Sequence, residues 1–280
     1  MLSYVWRNLL TRKIRTGLSM LGVAVSVAAI VALISVAYGM RTSIDAYMEE
    51  GGASLIVFSG NVADLIFSSV SHDEVDEVQR LPGVEHVSRT HFFMVKPPKD
   101  DEREVSVPMV LCFGRYPGER LLERFKDRIT AGDVFSARDE IVVSKYIADT
   151  LGWSIGKNVE LFPGQLFKVV GLYESKISWE NGGLMMDAAV LGEKLGRDDS
   201  HNLVFVYCTP GAEDASAQAI EAKFPHLKAI PPGEFTESFS EQLAIMDEFI
   251  AMITVIALVV GVLGVLNTMM MSVHERTREI

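Results

Sequence analysis

Six histidines, two cysteines and several adjacent acids are the side chains of this 280-residue sequence with the chemistry of a reactive site. His274-Glu275 opens like the HExxH helix of a zinc protease, but Arg278 stands where the second ligand belongs, so no metal pair forms there. His86 and His91 are five apart on a predicted strand, an odd spacing that sends them to opposite faces. His201 and His226 have no neighbour in sequence to work with. Asp73-Glu74 and Glu213-Asp214 fall in first helical turns, where carboxylates offset the helix dipole. A phosphate-binding GxxxxGK[ST] loop is absent, and no Ser–His–Asp arrangement assembles from local motifs. The sequence therefore reads as a non-enzyme, with no catalytic residue, bound cofactor or metal.

The elements around these residues alternate. Ser54–Ser59 reads as a strand, Ser71 and Glu74 make a capping box for a helix carrying Val75, Val78 and Leu81, and Pro82-Gly83 stops it before a strand over Val84–Lys96. Leu203–Cys208 is again a strand, followed by a helix over Glu213–Phe224 and a stop at Pro225. Leu81-Pro82-Gly83-Val84 and Phe224-Pro225-His226-Leu227 match at an offset of 143, as do Val87 and Ile230. Two βαβ-like halves flanking an insertion at about 97–200 is the reading that follows. The insertion is strand-rich: Glu140–Val143, a short helix capped by Ser144 and closed by Gly152, and a hairpin of Val159–Phe162 with Leu166–Leu172 around Pro163-Gly164. Cys112 and Cys208 sit in apolar strand-like runs and are expected to be buried and unpaired.

Two apolar runs bracket this α+β domain. Gly17–Met40 and Phe249–Val273 carry no formal charge, and each is long enough as a helix to cross a hydrocarbon core of about 30 Å. Twelve Val, Ile, Leu or Phe residues in Phe249–Met271 favour insertion by roughly 4–7 kcal/mol. A cleaved signal peptide fits the first run poorly, because its apolar stretch is too long and Ala37-Tyr38-Gly39 is a poor cleavage site. The net charge of −11 hides a segregation: residues 1–16 carry +4 and residues 249–280 sum to zero, which leaves −15 on residues 41–248. The basic N-terminus belongs inside, so the acidic middle is exported and both termini are cytoplasmic. Such an acidic surface excludes nucleic acid as partner. Trp6 with Arg7, Arg12, Lys13 and Arg15, on a helix striped by Leu2, Val5, Leu9 and Leu10, reads as an amphipathic elbow lying on the inner leaflet.

Helix pairing is the most specific local signal. Phe235, Phe239, Leu243, Met246 and Ile250 are spaced 4, 4, 3, 4, a coiled-coil-like seam running into the second span as a stalk. Within that span Thr254, Ala257, Gly261, Gly264 and Thr268 form a stripe of small residues that lets helices approach, and Ser19, Gly22, Ser26 and Ala29 follow the same rule in the first. Met40, Ile44 and Met48 extend the first helix outward as the stalk partner.

Trp6-Arg7-Asn8-Leu9-Leu10 … Lys13-Ile14-Arg15-Thr16 … Met20-Leu21-Gly22-Val23, and Gly264-Val265-Leu266-Asn267-Thr268-Met269 … Ser272-Val273-His274-Glu275-Arg276-Thr277-Arg278-Glu279-Ile280, resemble the first and second membrane helices of the MacB/FtsX-like family of ABC-transporter permeases. The series Gly132-Asp133 … Glu140-Ile141-Val142-Val143 … Leu151-Gly152 … Gly156 … Phe167-Lys168-Val169-Val170-Gly171 is similar to that family's periplasmic core domain. The resemblance implies a cell-membrane protein with an elbow at 1–16, spans at 17–40 and 249–273, a periplasmic core at 41–232, a stalk at 233–248 and the start of a coupling segment at 274–280. It further implies a homodimer, or a heterodimer with another permease, served by a cytoplasmic ABC ATPase that uses ATP and Mg. Glu275, Arg276, Arg278 and Glu279 would lie near the ATPase contact, and an extracytoplasmic adaptor or substrate protein would meet the exported domain. Such a permease relays ATP-driven closure through its stalks, as mechanotransmission. An FtsX-like regulator of a cell-wall enzyme and a truncated membrane-tethered scaffold are the alternatives. The family continues past this motif, so the end at Ile280 reads as a truncated product, a fragment or half of a split permease.

Overall fold

A computed structural model describes residues 13–62, 65–98, 109–177, 180–235, 248, 251–256, 259, 262, 266 and 270. The chain divides into two compact units, 1–41 with 238–280, and 42–237.

In the first unit the described residues are helical. They belong to α1 (Lys13–Gly51), which continues into the second unit, and to 251–256 with the scattered positions beyond it. Met20, Val25, Val27, Val31, Ile34 and Val36 are more than half exposed, as are Met252, Val255, Ile256, Val262 and Met270. Among the described residues no helix is long and apolar enough to cross a membrane.

The second unit is built on one continuous sheet. Its strands are β1 (Leu55–Ser59), β3 (Val84–Val95), β4 (Val110–Arg115), β5 (Ile129–Gly132), β6 (Glu140–Ser144), β7 (Asn158–Phe162), β8 (Gln165–Tyr173), β9 (Gly183–Asp187), β11 (Leu203–Cys208) and β12 (Leu227–Ile230). The order is β12-β1-β11-β3-β4-β9-β6-β8-β5, with β7 also on β8. The short β2 (Val70–Ser71) and β10 (Ser200–His201) form a separate pair. Five further helices are α2 (His72–Gln79), α3 (Arg120–Phe125), α4 (Lys145–Leu151), α5 (Ala188–Leu195) and α6 (Glu213–Lys223).

The strands β12-β1-β11-β3 are antiparallel neighbours, and β1–α2–β3 and β11–α6–β12 each cross over one intervening strand. This is the split βαβ arrangement. The strand after each helix begins at Val84 and at Leu227, which are the offset of 143 apart. The residues between extend the same sheet instead of building a separate one. The twelve-residue β3 serves both parts: its first residues pair with β11, and Thr90–Val95 pair with β4.

Periodicity explains which strands read as continuous apolar runs. All six residues of β11 are buried. Val204, Val206 and Cys208 join Val75, Val78 and Ile220 in a core under α2 and α6, while Tyr207 reaches the end of α1 on the other face. A strand covered on both faces has no polar side to show. β8 instead alternates, with Phe167, Val169 and Tyr173 buried. Cys112 belongs to the second core, under α4 and α5, and both cysteines are free thiols.

The local stop and start signals are in place. Ser71 accepts from the Glu74 N–H while Glu74 Oε2 accepts from the Ser71 N–H at 2.8 Å, a complete capping box. Ser144 caps α4 through the Ile147 N–H, and Gly152 closes it in the left-handed region.

Candidate functional site

The buried polar groups of the 42–237 unit concentrate at two places. One lies on the sheet face that receives the last turns of α1. Tyr47, three residues on from Ile44, points onto the sheet with its ring centroid 6.1 Å from Phe113 and 6.0 Å from Phe205. Arg115, 2% exposed, donates to the Tyr47 hydroxyl at 2.6 Å and to the Thr90 hydroxyl. Its guanidinium also stands 5.6 Å from the centroids of both the Tyr47 and Phe113 rings, so neutral oxygens and aromatic faces surround the charge. Burial pushes the Tyr47 hydroxyl above its usual range, with Arg115 opposing.

The helix ends at the same place. Tyr207 donates to the Gly51 carbonyl at 3.0 Å, which satisfies one of the acceptors a helix leaves open at its C-terminus. A Cβ on Gly51 would lie 3.2 Å from the Phe205 ring, and Gly52 adopts φ +60. The Gly-Gly pair thus stops the helix and lets its end lie against the sheet.

Beside this contact Arg128 pairs with the Glu180 carboxylate, which is 2% exposed. Ser175 donates to Glu180 Oε2 at 2.6 Å, and Tyr173 donates to the Glu180 carbonyl at 2.5 Å. The Asn181 side chain fixes the backbone of Ser175 through bonds of 2.9 and 2.6 Å. A crevice among Tyr47, Gly51, Arg115, Arg124, Arg128 and Glu180 leaves about 20 Å³. That holds a water and falls far short of the roughly 300–1,000 Å³ of a small-molecule site. The arrangement holds a helix end against a sheet.

The second place is a histidine cluster on the opposite face. His91 Nε2 and His201 Nδ1 are 3.2 Å apart, and the His72 ring stands edge-on to His201 at 4.5 Å. Among the described residues no group of three His, Cys, Asp or Glu side chains is arranged to hold a metal. His86 lies apart from it against Tyr207, and His226 Nε2 meets Glu74 at 2.9 Å.

Of the residues singled out in the sequence, Phe235 is buried in the 42–237 unit, its ring edge-on to Phe58 at 5.4 Å. Thr254 lies in the helical stretch 251–256, and Lys13 and Arg15 belong to α1. Trp6, Arg7, Arg12, Phe239, Leu243, Met246, Ile250, Ala257, Gly261, Gly264, Thr268, Glu275, Arg276, Arg278 and Glu279 lie outside the described residues. Sequence reasoning missed Tyr47, Arg115, Glu180 and the His91–His201 contact. Tyr47 alone carried a signal, an aromatic on the Met40–Ile44 stripe just ahead of Gly51-Gly52.

Comparison with known proteins agrees with this architecture. Residues 16–223 match the model of the MacB-like periplasmic core domain. The chain is 24% identical over 303 residues to an uncharacterized ABC transporter permease of Methanocaldococcus jannaschii, covering 100% of this chain and 73% of that one. It is 22% identical over 307 residues to the macrolide export ATP-binding/permease protein MacB of Nitrosomonas europaea, covering 98% of this chain and 44% of MacB. The pyoverdine export ATP-binding/permease protein PvdT of Pseudomonas aeruginosa is 24% identical over 313 residues, with 98% and 44% covered. The chain thus spans less than half the length of these two relatives. Among solved structures, the periplasmic region of MacB from Actinobacillus actinomycetemcomitans superposes with a TM-score of 0.51 at 11% identity, over 68% of this chain and 94% of that one, a likeness of fold. The chain belongs to the MacB/FtsX-like family of ABC-transporter permeases, through its MacB-like periplasmic core domain.

Proposed function

We propose that this chain is a permease subunit of a MacB-type ABC transporter, in which ATP hydrolysis by a cytoplasmic ATPase moves an extracytoplasmic domain to export or extract substrate. The observation that carries the reading is the joint at the end of α1. The helix has no break between Lys13 and Gly51, and its last turns are fixed to the sheet by Tyr47, Arg115 and Tyr207. A displacement of such a helix cannot be absorbed at its end and must shift the sheet.

Under this reading 17–40 and 249–273 are the membrane spans, with 41–248 outside and both termini in the cytoplasm. The apolar side chains exposed along α1 and at Met252, Val255, Ile256, Val262 and Met270 then face lipid or a partner helix. The seam of Phe239, Leu243, Met246 and Ile250 and the small stripe through Gly261 and Gly264 would pair helices within a permease dimer. Glu275, Arg276, Arg278 and Glu279 would meet the ATPase, which takes up ATP and Mg in its own site.

An alkaline-phosphatase fusion at about residue 150 tests the orientation: activity in a bacterial host is expected, and an inactive fusion overturns it. The tagged full chain should co-purify with an ABC ATPase from its host membranes, weakly so when Glu275→Lys and Arg278→Glu are combined. Recovery of an exported hydrolase as the stoichiometric partner would replace the permease reading with the FtsX-like regulator.

A further inference from the structure

We propose that His91 and His201 form a proton-operated latch that holds the β2–β10 pair and the 65–68 segment against α5, closed when both imidazoles are neutral and released by acid. The two side chains come from different sheets, β3 and β10, and each is 1% exposed. The 3.2 Å line between His91 Nε2 and His201 Nδ1 has room for a single proton, so at rest one ring donates and the other accepts. The remaining nitrogens, His91 Nδ1 and His201 Nε2, are buried without a hydrogen-bond partner. Whichever tautomer is chosen, one of them is an orphaned N–H and the other an orphaned lone pair. A pair left under-satisfied on both outer sides is held by its surroundings and has little to lose on opening.

The surroundings make an added proton unwelcome. From α2 comes His72, 4.5 Å from His201 ring to ring. β3 contributes Arg89, stacked 4.3 Å over Tyr116, which itself stands edge-on to His201 at 5.5 Å. Arg197, just past α5, donates to the Ile66 and Ser68 carbonyls. The carboxylates that act on the neighbouring Tyr116 are Glu119 and Asp187. Glu119 is engaged by Arg89 through its backbone N–H at 2.6 Å and Nε at 2.7 Å. Asp187 caps α5, accepting from the Ala189 and Val190 N–H groups. Among the described residues, both of these carboxylates are already engaged. Burial pushes His91 down to about 4, with the Asn202 side chain opposing and Arg197 and Arg89 adding to the fall, and burial followed by the facing His91 pushes His201 down to about 2.

The seam is also the place where release would act. His91 Nε2 would sit 3.2 Å from a Cβ on Gly192 of α5. Asn202, next to His201, donates to the Ile66 carbonyl at 2.7 Å and accepts from the Phe92 N–H, tying the 65–68 segment to β3. The sign is fixed by linkage. In the closed form the rings resist protonation, whereas in an opened form they titrate near 6.5, so the open form binds more protons between about pH 6.5 and 4 and gains there by about tenfold per pH unit for the first proton. The inference needs nothing of the transport reading; if that reading holds, the triggering protons are those of the external medium.

Hydrogen exchange on the detergent-solubilised full chain, corrected for intrinsic rates, tests this between about pH 7 and pH 5. Peptides covering 65–72 and 188–203 should open at least about tenfold more at the lower pH, while those covering β6–β8 stay unchanged. In His91→Gln or His201→Asn, each of which keeps one of the two rings, that selective rise should shrink, and in the double variant it should vanish. Should either variant fail to fold, ¹⁵N-histidine spectra of the wild type decide: two rings that stay neutral, with one shared N–H···N signal until the seam opens, support the latch. Uniform exchange at both pH values, or rings that titrate near 6.5 with the seam closed, would overturn it.

Discussion

On the sheet face that receives the end of α1, the buried charges are held by hydroxyls or by each other: Arg115 with Tyr47 and Thr90, and Arg128 with Glu180. On the helix-covered face, beside the Arg89–Glu119 pair, His91 and His201 bury two imidazoles whose outer nitrogens find no partner. Both sets are nearly excluded from water, yet they respond to solution differently. Arginine keeps its proton at any physiological pH, and Arg115 and Arg128 donate to buried hydroxyl and carboxylate oxygens, so the first face is a fixture. Histidine changes charge within reach of ordinary acidification, so the second face can be conditional. Where α1 meets the sheet the chain buries arginine, which does not titrate, and where β3 meets β10 it buries histidine, which does.

The largest effect expected from breaking this contrast is at Glu180. Glu180→Gln keeps the shape but leaves Arg128 without its carboxylate in a site where the acid is 2% exposed. Breaking a buried pair from one side typically costs about 3–5 kcal/mol. Chemical denaturation of the full chain should show that loss near neutral pH, and a loss below about 1 kcal/mol would mean that water reaches the pair and the face is not a fixture. The wild type should keep this face intact through mild acid, while the imidazole face weakens.

Tyr47→Phe is milder and more informative about transmission. It retains the ring between Phe113 and Phe205 and deletes only the hydroxyl that accepts from Arg115 at 2.6 Å. A hydrogen bond to a charged group is worth about 1.5–3 kcal/mol. The loss should appear as faster exchange in the last turns of α1 with little change in β6–β8. A loss spread evenly over the unit would show that the hydroxyl supports the core in general and not the helix end.

How much of this was legible in the sequence follows from the range of each interaction. The two βαβ units, their caps and their Pro stops are local, and so Ser71, Ser144, Gly152 and the repeat at Val84 and Leu227 could be read directly. The strand-like runs around Cys112 and Cys208 were legible for the same reason. β9 and α5 were not, because Gly183–Asp187 reads as a Met-rich stretch without alternation and α5 carries Gly192 in its middle. The insertion looked separable in sequence, but β3 pairs on both edges, a fact of sheet order that no local pattern encodes. Tyr47 meets Arg115 across 68 residues, and His91 meets His201 across 110. Each of those residues alone looks ordinary, and only the fold makes the pairs.

Ser71→Ala gives the smallest effect and sharpens the comparison at its edge. Ser71 belongs to β2, the strand paired with the one carrying His201, and it caps α2, whose first residue is His72. Its hydroxyl lies at 3.3 Å from the Glu74 N–H and 2.9 Å from Glu74 Oε2. The return bond from the Ser71 backbone N–H to Glu74 survives the substitution, so only one arm of the box is lost and about 1 kcal/mol is expected. The loss should not grow in mild acid, since serine does not titrate and a hydroxyl donates more weakly to a protonated carboxyl than to a carboxylate. If instead Ser71→Ala costs more in mild acid than at neutrality, then α2 is coupled to the imidazole pair through His72, and the conditional region reaches one helix further than the 65–68 segment and α5.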